Sequence, residues 1–380
     1  MSALYSWSRF AGRTLAAAAG WERTPTKLIF VVTKRCHSRC VYCDIWKVKD
    51  TPGALDAELT LDEVRKLARA NPFLQWIDFT GGEPTDRPDF VAVIQAFAEA
   101  CPDLLLVHFP TNGIATARIR RTVEELHRTL RARLIVTVSI DGPPELNDRL
   151  RGIRNDFAHA IDTFAAVRAE LGADNAYVGM TLHGHSGSGG KPTHLLAEET
   201  FAAINTALAQ RQEAPVDWGS FHMNIPHLSQ HYYGNQASEA KDGFGGAAHR
   251  AEISETLRMA AARPKPHASL PMQAIERIYR AEAQRYLATG RTRIGCSALL
   301  STAYLSERGE VYPCTIWDKP LGNIRNTGYA LMPIIEDARR RGIRQEVVDG
   351  KCPNCWTPCE AHPAIMASPL RAGLALATGR

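Results

Sequence analysis

From residue 27 the chain alternates short apolar runs with amphipathic helical stretches, and this alternation constrains the fold more than any single motif. The strand-like runs are "KLIFVV", "QWIDFT", "LLLVHFP", "LIVTVSI", "AYVGMTLHG" and "VDWGSFHMNI", each followed by a helix or a helix-bearing connection. A crossover helix returns the chain to the same end of the sheet, so such strands pair in parallel. Six units instead of eight predict an α/β fold whose core, residues 26–235, is an open, partial (β/α)6 TIM-like barrel.

Ligands of such sheets bind at the C-terminal ends of the strands. The polar motifs fall there: "CHSRCVYC" after the first strand, "GGEP" after the second, "TNG" after the third and "SIDG" after the fourth. Residues 1–25 read as a helical extension, with Leu4, Trp7, Phe10 and Leu15 as a stripe that faces a core in preference to a membrane surface. Residues 236–290 read as a Gly/Ala-rich connector and a helix. Residues 291–365 form a small cysteine-rich α+β domain opened by the hairpin "AYLSERGEVYPC", with a tail at 366–380.

Nine cysteines without an export signal argue against a disulfide framework and for a cytoplasmic protein. No apolar run is long enough for a transmembrane segment. The net charge of +5 is spread along the chain, so no nucleic-acid partner is expected. Cys101, ahead of a strand, reads as a small hydrophobe. Cys36, Cys40 and Cys43 supply three thiolates within eight residues and no fourth. Three ligands can hold one corner of a cubane and leave an iron open, although a zinc knuckle that borrows His37 uses similar spacings.

The ordered set "CHSRCVYC", "GGEP", "TNG" and "SIDG" resembles the radical S-adenosylmethionine (SAM) superfamily over roughly residues 27–235, with His37 where an asparagine often stands. The resemblance implies a [4Fe-4S] cluster on Cys36, Cys40 and Cys43 whose open iron is chelated by SAM. It further implies that Gly81 and Gly82 allow close backbone approach, that Glu83 faces the SAM ammonium and that Pro84 fixes the turn. Tyr42 would lie against the adenine, while Asn112, Ser139 and Asp141 would line the same pocket; plain turn chemistry is the alternative for these three. The implied reaction is reductive cleavage of SAM to a 5′-deoxyadenosyl radical that takes hydrogen from a substrate, with a flavodoxin or ferredoxin as electron donor.

Cys296, Cys314, Cys352, Cys355 and Cys359 are similar to the SPASM and twitch domains that follow many such barrels and carry auxiliary iron–sulfur clusters. Five cysteines suit one auxiliary [4Fe-4S] cluster held by four of them, with the zinc ribbon as the plain alternative. Spacing does not settle which is left over; Cys359 either binds iron or stands free as a hydrogen-atom donor.

His222, Tyr232 and Cys359 are the remaining catalytic candidates, His222 with Asn224 toward the barrel mouth and Tyr232 with Tyr233 closing it. "SGSGGKPT" is no phosphate loop, because Pro192 replaces the required hydroxyl residue, and His183, His185 and His194 read as a solvated loop. The stretch before Cys36 is short for a peptide-recognition domain, which favours a small molecule or lipid over a peptide substrate. The competing class is a zinc-stabilised adaptor without radical chemistry.

Overall fold

The computed structural model describes residues 12, 13, 16, 24–183, 190–237, 246–263 and 270–368. The N-terminal stripe, His185, the middle of the connector and the tail beyond residue 368 lie outside them.

The six expected strands form as β1 Lys27–Thr33, β2 Trp76–Gly81, β3 Leu106–Thr111, β4 Arg133–Ser139, β5 Ala176–Thr181 and β6 Phe221–Asn224. All neighbouring pairs from β1 to β6 are parallel, as the partial barrel requires. Every residue of β1 is buried, the mark of a central parallel strand covered on both faces. Helices α1 Leu61–Ala70, α2 Phe90–Ala100 and α3 Thr116–Thr129 follow the first three strands. The start of α1 is fixed by a capping box in which Thr60 and Glu63 satisfy each other's backbone N–H groups.

After β4 the chain makes two helices where the sequence suggested one, α4 Pro144–Arg151 and α5 Asp156–Leu171. The run "DGPPE" after β4 holds a helix start: Pro144 stands at the first helical position and Glu145 in the first turn. Gly152, at φ 68°, ends α4 in the left-handed conformation.

Helix α6 Thr193–Gln210 precedes β6, and α7 Ala247–Ala261 and α8 Leu270–Thr289 follow it. The hairpin is β7 Thr302–Leu305 and β8 Glu310–Tyr312, extended by β9 Gly322–Asn323. Helices α9 Met332–Arg340, α10 Ile343–Val348 and α11 Pro358–Met366 complete the described chain. Because β7 pairs in parallel with β1, one sheet of order β6-β5-β4-β3-β2-β1-β7-β8-β9 runs unbroken across the boundary near residue 290.

That junction closes the barrel. The Glu276 carboxylate on α8 lies 3.6 Å from His222 on β6 and 3.5 Å from His362 on α11. Lys27 on β1 donates to the Cys359 carbonyl of α11 at 2.8 Å. Side chains of α8 and α11 therefore bridge β6 to β1 and wall the open side of the partial barrel.

Candidate active site

A cavity of about 900 Å³ runs from the strand-end rim down into this walled lumen. Cys36, Cys40 and Cys43 line its upper part. Their loop has little regular structure of its own and hangs on neighbours. Arg39 and Val41 donate backbone N–H groups to the carbonyls of Arg151 and Leu150 at the end of α4. The Asn235 side chain donates to the Tyr42 carbonyl, and Asp44 N–H to the Tyr233 carbonyl.

Gly81 and Gly82 line the same cavity, and their backbone roles are specific. A Cβ on Gly81, at φ +126°, would stand 2.2 Å from the Thr33 carbonyl oxygen, and one on Gly82 would stand 2.1 Å from that of Arg35. These approaches let Gly82 and Glu83 donate N–H groups to Thr33 and Arg35 at 2.9 and 2.7 Å, which packs the "GGEP" turn against the cysteine loop. Gly82→Ala is therefore expected to displace the loop and to cost the about four irons of the front cluster, read by iron assay of anaerobically reconstituted protein.

Glu83 and Pro84 are not among the lining residues. Glu83 is 1% exposed; its oxygens accept from the Thr85 N–H and hydroxyl, the Thr111 hydroxyl and the Asn112 N–H. Its carboxylate thus ties the β2 turn to the β3 turn, with Pro84 opening a single 3-10 turn behind it. Asn112 lines the cavity and also makes a turn, its Oδ1 accepting from Ile114 N–H. Ser139 lines the cavity at the end of β4.

Asp141 and Tyr42 belong to a buried polar network. The Tyr42 hydroxyl donates to Asp141 Oδ2 at 2.5 Å, and Arg151 Nη1 donates to the same oxygen at 2.7 Å. Thr181 N–H donates to Asp141 Oδ1, while Arg151 Nε pairs with Asp156 at 3.0 Å. Burial alone would push the Asp141 carboxyl up; the Arg151 guanidinium beside it outweighs this and holds it below the usual range. The Tyr42 ring stacks on the His183 imidazole at 3.7 Å. His183 is 7% exposed, so the expectation of a solvated loop fails at this residue: Leu182 N–H bonds to the Asn224 carbonyl and His183 N–H to the Thr181 carbonyl, which holds the chain just past β5 with its ring under Tyr42.

Arg151 and His183 are site residues that the motifs did not point to. The signal for Arg151 was present in "PPELNDRLRG", a helix with its proline start and glycine stop.

Burial drives the front thiols up, Cys36 to about 12, and the neighbouring thiols add to the shift of Cys36 and Cys43. Unmetallated, they stay protonated. A group that takes thiolates is what this donor set suits. Two further observations favour a polar occupant: Ser38 Oγ and Trp46 Nε1 lie buried without a hydrogen-bond partner, in residues that line the cavity.

At the back, Cys296, Cys314 and Cys355 fall in one cluster, and Cys352 adds to the charge felt by Cys355. Cys296 and Cys314 sulfurs each accept a backbone N–H, from Ala298 and Trp317, at 3.4 Å. Such bonds suit cluster thiolates. Cys359 faces elsewhere: it lines the barrel cavity, beside Lys27, Asp78 and Tyr232. Among the described residues no three His, Cys, Asp or Glu side chains converge tightly enough for one metal ion.

Of the other candidates, His222 lines the lumen with its ring 4.6 Å from that of Tyr177. Tyr232 lines the cavity with its hydroxyl 2.5 Å from that of Thr80, and Tyr233 packs at its side. His37 lies at the surface, 2.5 Å from Asp86, and His194 starts α6 away from the cavity. Lys191 pairs with Glu199.

A partial barrel that presents three thiols over a walled lumen, followed by a module in which Cys296, Cys314 and Cys355 gather, is an α/β-barrel protein with two separate groups of soft donors. Comparison with known proteins narrows this. The profile described as the radical SAM superfamily matches residues 30–188, and one described as an iron-sulfur cluster-binding domain, SPASM, matches residues 296–356; together they span more than half of the chain.

The mycofactocin maturase MftC of Mycobacterium tuberculosis is 33% identical over 130 residues, 34% of this chain and 31% of that protein. The GTP 3',8-cyclase of Klebsiella pneumoniae is 39% identical over 93 residues, 23% of this chain and 27% of that protein. The match therefore spans about a third or less of these relatives' length.

Streptococcus suis SuiB bound to S-adenosylmethionine has the same fold, with a TM-score of 0.52 at 13% identity over 85% of this chain and 68% of that one. So does anSMEcpe with bound AdoMet and the Kp18Cys peptide, at 0.52 and 11% over 93% and 99%. The chain belongs to the radical SAM superfamily and carries a SPASM-type iron–sulfur cluster-binding domain. With these domains come SAM, its [4Fe-4S] cluster and auxiliary iron–sulfur binding. The zinc-adaptor alternative loses its support. No described helix is long and apolar enough to cross a membrane.

Proposed function

We propose that the chain is a radical SAM enzyme that transforms a substrate held in the barrel lumen, with one auxiliary [4Fe-4S] cluster on Cys296, Cys314, Cys352 and Cys355. The carrying observation is that the front thiols and the lumen share one cavity, while Cys296, Cys314 and Cys355 cluster apart from its lining with Cys352 next to Cys355. When bound, the reduced front cluster and SAM supply one-electron cleavage of the sulfonium C–S bond and hence a group that abstracts hydrogen.

The chain's own residues do the rest. Cys36, Cys40 and Cys43 would hold the cluster with one iron open, and the backbone at Gly81 and Gly82 holds their loop in place. Tyr42, Asn112, Ser139 and Asp141 would shape the SAM pocket. Arg151 keeps Asp141 ionised. Walling by α8 and α11 excludes water from the lumen. The Cys359 thiol, pushed up to about 12 by burial, stays S–H and faces that lumen, placed to return a hydrogen atom to a substrate carbon.

Substrates named for matched proteins include a peptide, bound in anSMEcpe. Lumen size supports a small molecule or a peptide side chain equally. The setting is the reducing cytoplasm, where all nine cysteines stay unpaired, with a flavodoxin or ferredoxin as electron donor.

Two measurements test this reading. Anaerobically reconstituted protein should carry about eight irons and, under dithionite, convert SAM to 5′-deoxyadenosine; intact SAM would refute it. Cys314→Ala should lose about four irons and Cys359→Ala none. Equal iron loss from both would return Cys359 to the ligand set.

A further inference from the structure

Deep in the lumen, Glu276 on α8 and His362 on α11 meet with hydrogen-bonding capacity unused among the described residues, and His222 on β6 stands beside them. Glu276 on α8 is 7% exposed, and its Oε1 is buried without a hydrogen-bond partner. His362 Nε2 on α11 is likewise buried and unpartnered, 3.5 Å from that oxygen. His222 Nδ1 on β6 stands 3.6 Å from it. At 3.6 and 3.5 Å these separations are too long for good hydrogen bonds. A buried carboxylate oxygen left in this state is costly unless something donates to it.

Among the described residues, no side chain of the lumen donates a good hydrogen bond to it. Lys27 is engaged with Asp78 at 2.7 Å and the Cys359 carbonyl at 2.8 Å. Arg280 approaches only Oε2, at 3.7 Å, and donates to the Ala260 carbonyl. Burial lowers His222 to about 4, so its ring is neutral near pH 7 and carries one lone-pair nitrogen. Apolar walls surround the group: Tyr177, Leu257, Ile275 and Tyr279 line the same cavity.

We propose that Glu276, His222 and His362 form a substrate subsite for a primary ammonium group carried on an apolar stem. The fit is one of charge: an ammonium brings a full positive charge and three donors, and the Glu276 carboxylate oxygen is a buried acceptor without a partner among the described residues, flanked by the two imidazoles. A hydroxyl donates one hydrogen bond and brings no charge. Desolvated on apolar walls, the charge-assisted bond to Glu276 carries most of the selectivity. The subsite rests on the reading of the lumen as the substrate chamber, and names the chemical class admitted to it: amines and amino-acid or peptide amino groups, not neutral alcohols or lipids.

Isothermal titration calorimetry tests this on the anaerobic holoenzyme with SAM bound, using cyclohexylammonium and cyclohexanol as probes. Cyclohexylammonium should bind about tenfold or more tighter than cyclohexanol, and Glu276→Gln should remove about that factor while leaving cyclohexanol within about twofold. Equal binding of the two probes, no binding of the amine, or an unchanged Glu276→Gln variant would overturn the subsite. If Glu276→Gln fails to fold, shown by a lost iron–sulfur absorbance, the two-probe comparison in the unaltered protein decides. The titration reads no SAM cleavage, so intact SAM in the functional assay would sink the enzyme reading without deciding the subsite.

Discussion

Alanine at Cys36, Cys40 or Cys43 is expected to abolish formation of 5′-deoxyadenosine and to lower the iron content from about eight to about four per chain. Each thiol lines the cavity from the same loop. No neighbouring side chain replaces one: His37 is turned to the surface against Asp86, and Cys101, buried beside α2, hydrogen-bonds to the Asn71 carbonyl. The rear group should keep its irons, because Cys296 and Cys314 flank the β7–β8 hairpin and Cys352 and Cys355 precede α11, all outside the front loop. A triad variant that still cleaves SAM would remove the front site from the account.

Arg151→Met is expected to give the largest loss of stability of any single change at the site. It leaves Asp141 and Asp156, 3% and 0% exposed, as buried carboxylates without their shared cation. Breaking such a pair from one side costs about 3–5 kcal/mol. The loss should appear as a lower unfolding midpoint and weaker SAM binding, since the α4 end also carries the cysteine loop.

The pH dependence carries a sign. In the unaltered protein Arg151 holds Asp141 low, so its stabilisation is present above the ordinary carboxylate pKa near about 4 and fades as pH falls through the lowered value. Without Arg151, burial raises both carboxyls, so the penalty should be greatest near neutrality and shrink as pH falls toward about 5. Asp141→Asn, which leaves Arg151 paired with Asp156, should cost less. Equal midpoints for Arg151→Met and the unaltered protein would show that the network does not hold the loop.

The strands were readable because each holds a short apolar run bounded by polar turns, and β1 to β6 appear where those runs stand. Motifs at strand ends were readable for the same reason: parallel order puts every C-terminal end on one rim. Helix α4 was missed because "PP" is weighted as a turn until the following "ELNDRLRG" is read as a helix with its glycine stop.

The lumen cluster left almost no trace in the chain. His222, Glu276 and His362 are scattered over some 140 residues and meet only because α8 and α11 fold back across the gap between β6 and β1. One hint existed: Asp78 interrupts the apolar strand "QWIDFT", and a charge in a buried strand needs a partner, here Lys27. Cys359 could not be separated from Cys355 by spacing, since both directions from "CPNCWTPC" are compatible with a ligand; the start of α11 turns its thiol toward Lys27.

The central claim is that the front triad leaves one iron open and that SAM takes it. Electron–nuclear double resonance on the reduced holoenzyme, with SAM labelled by 15N at its amino group, reads this contact directly. The account predicts a hyperfine coupling between the methionyl nitrogen and the front cluster, lost in Cys40→Ala. A reduced, iron-loaded protein that shows no such coupling in the presence of SAM, or a preparation that holds zinc in place of iron, would contradict it.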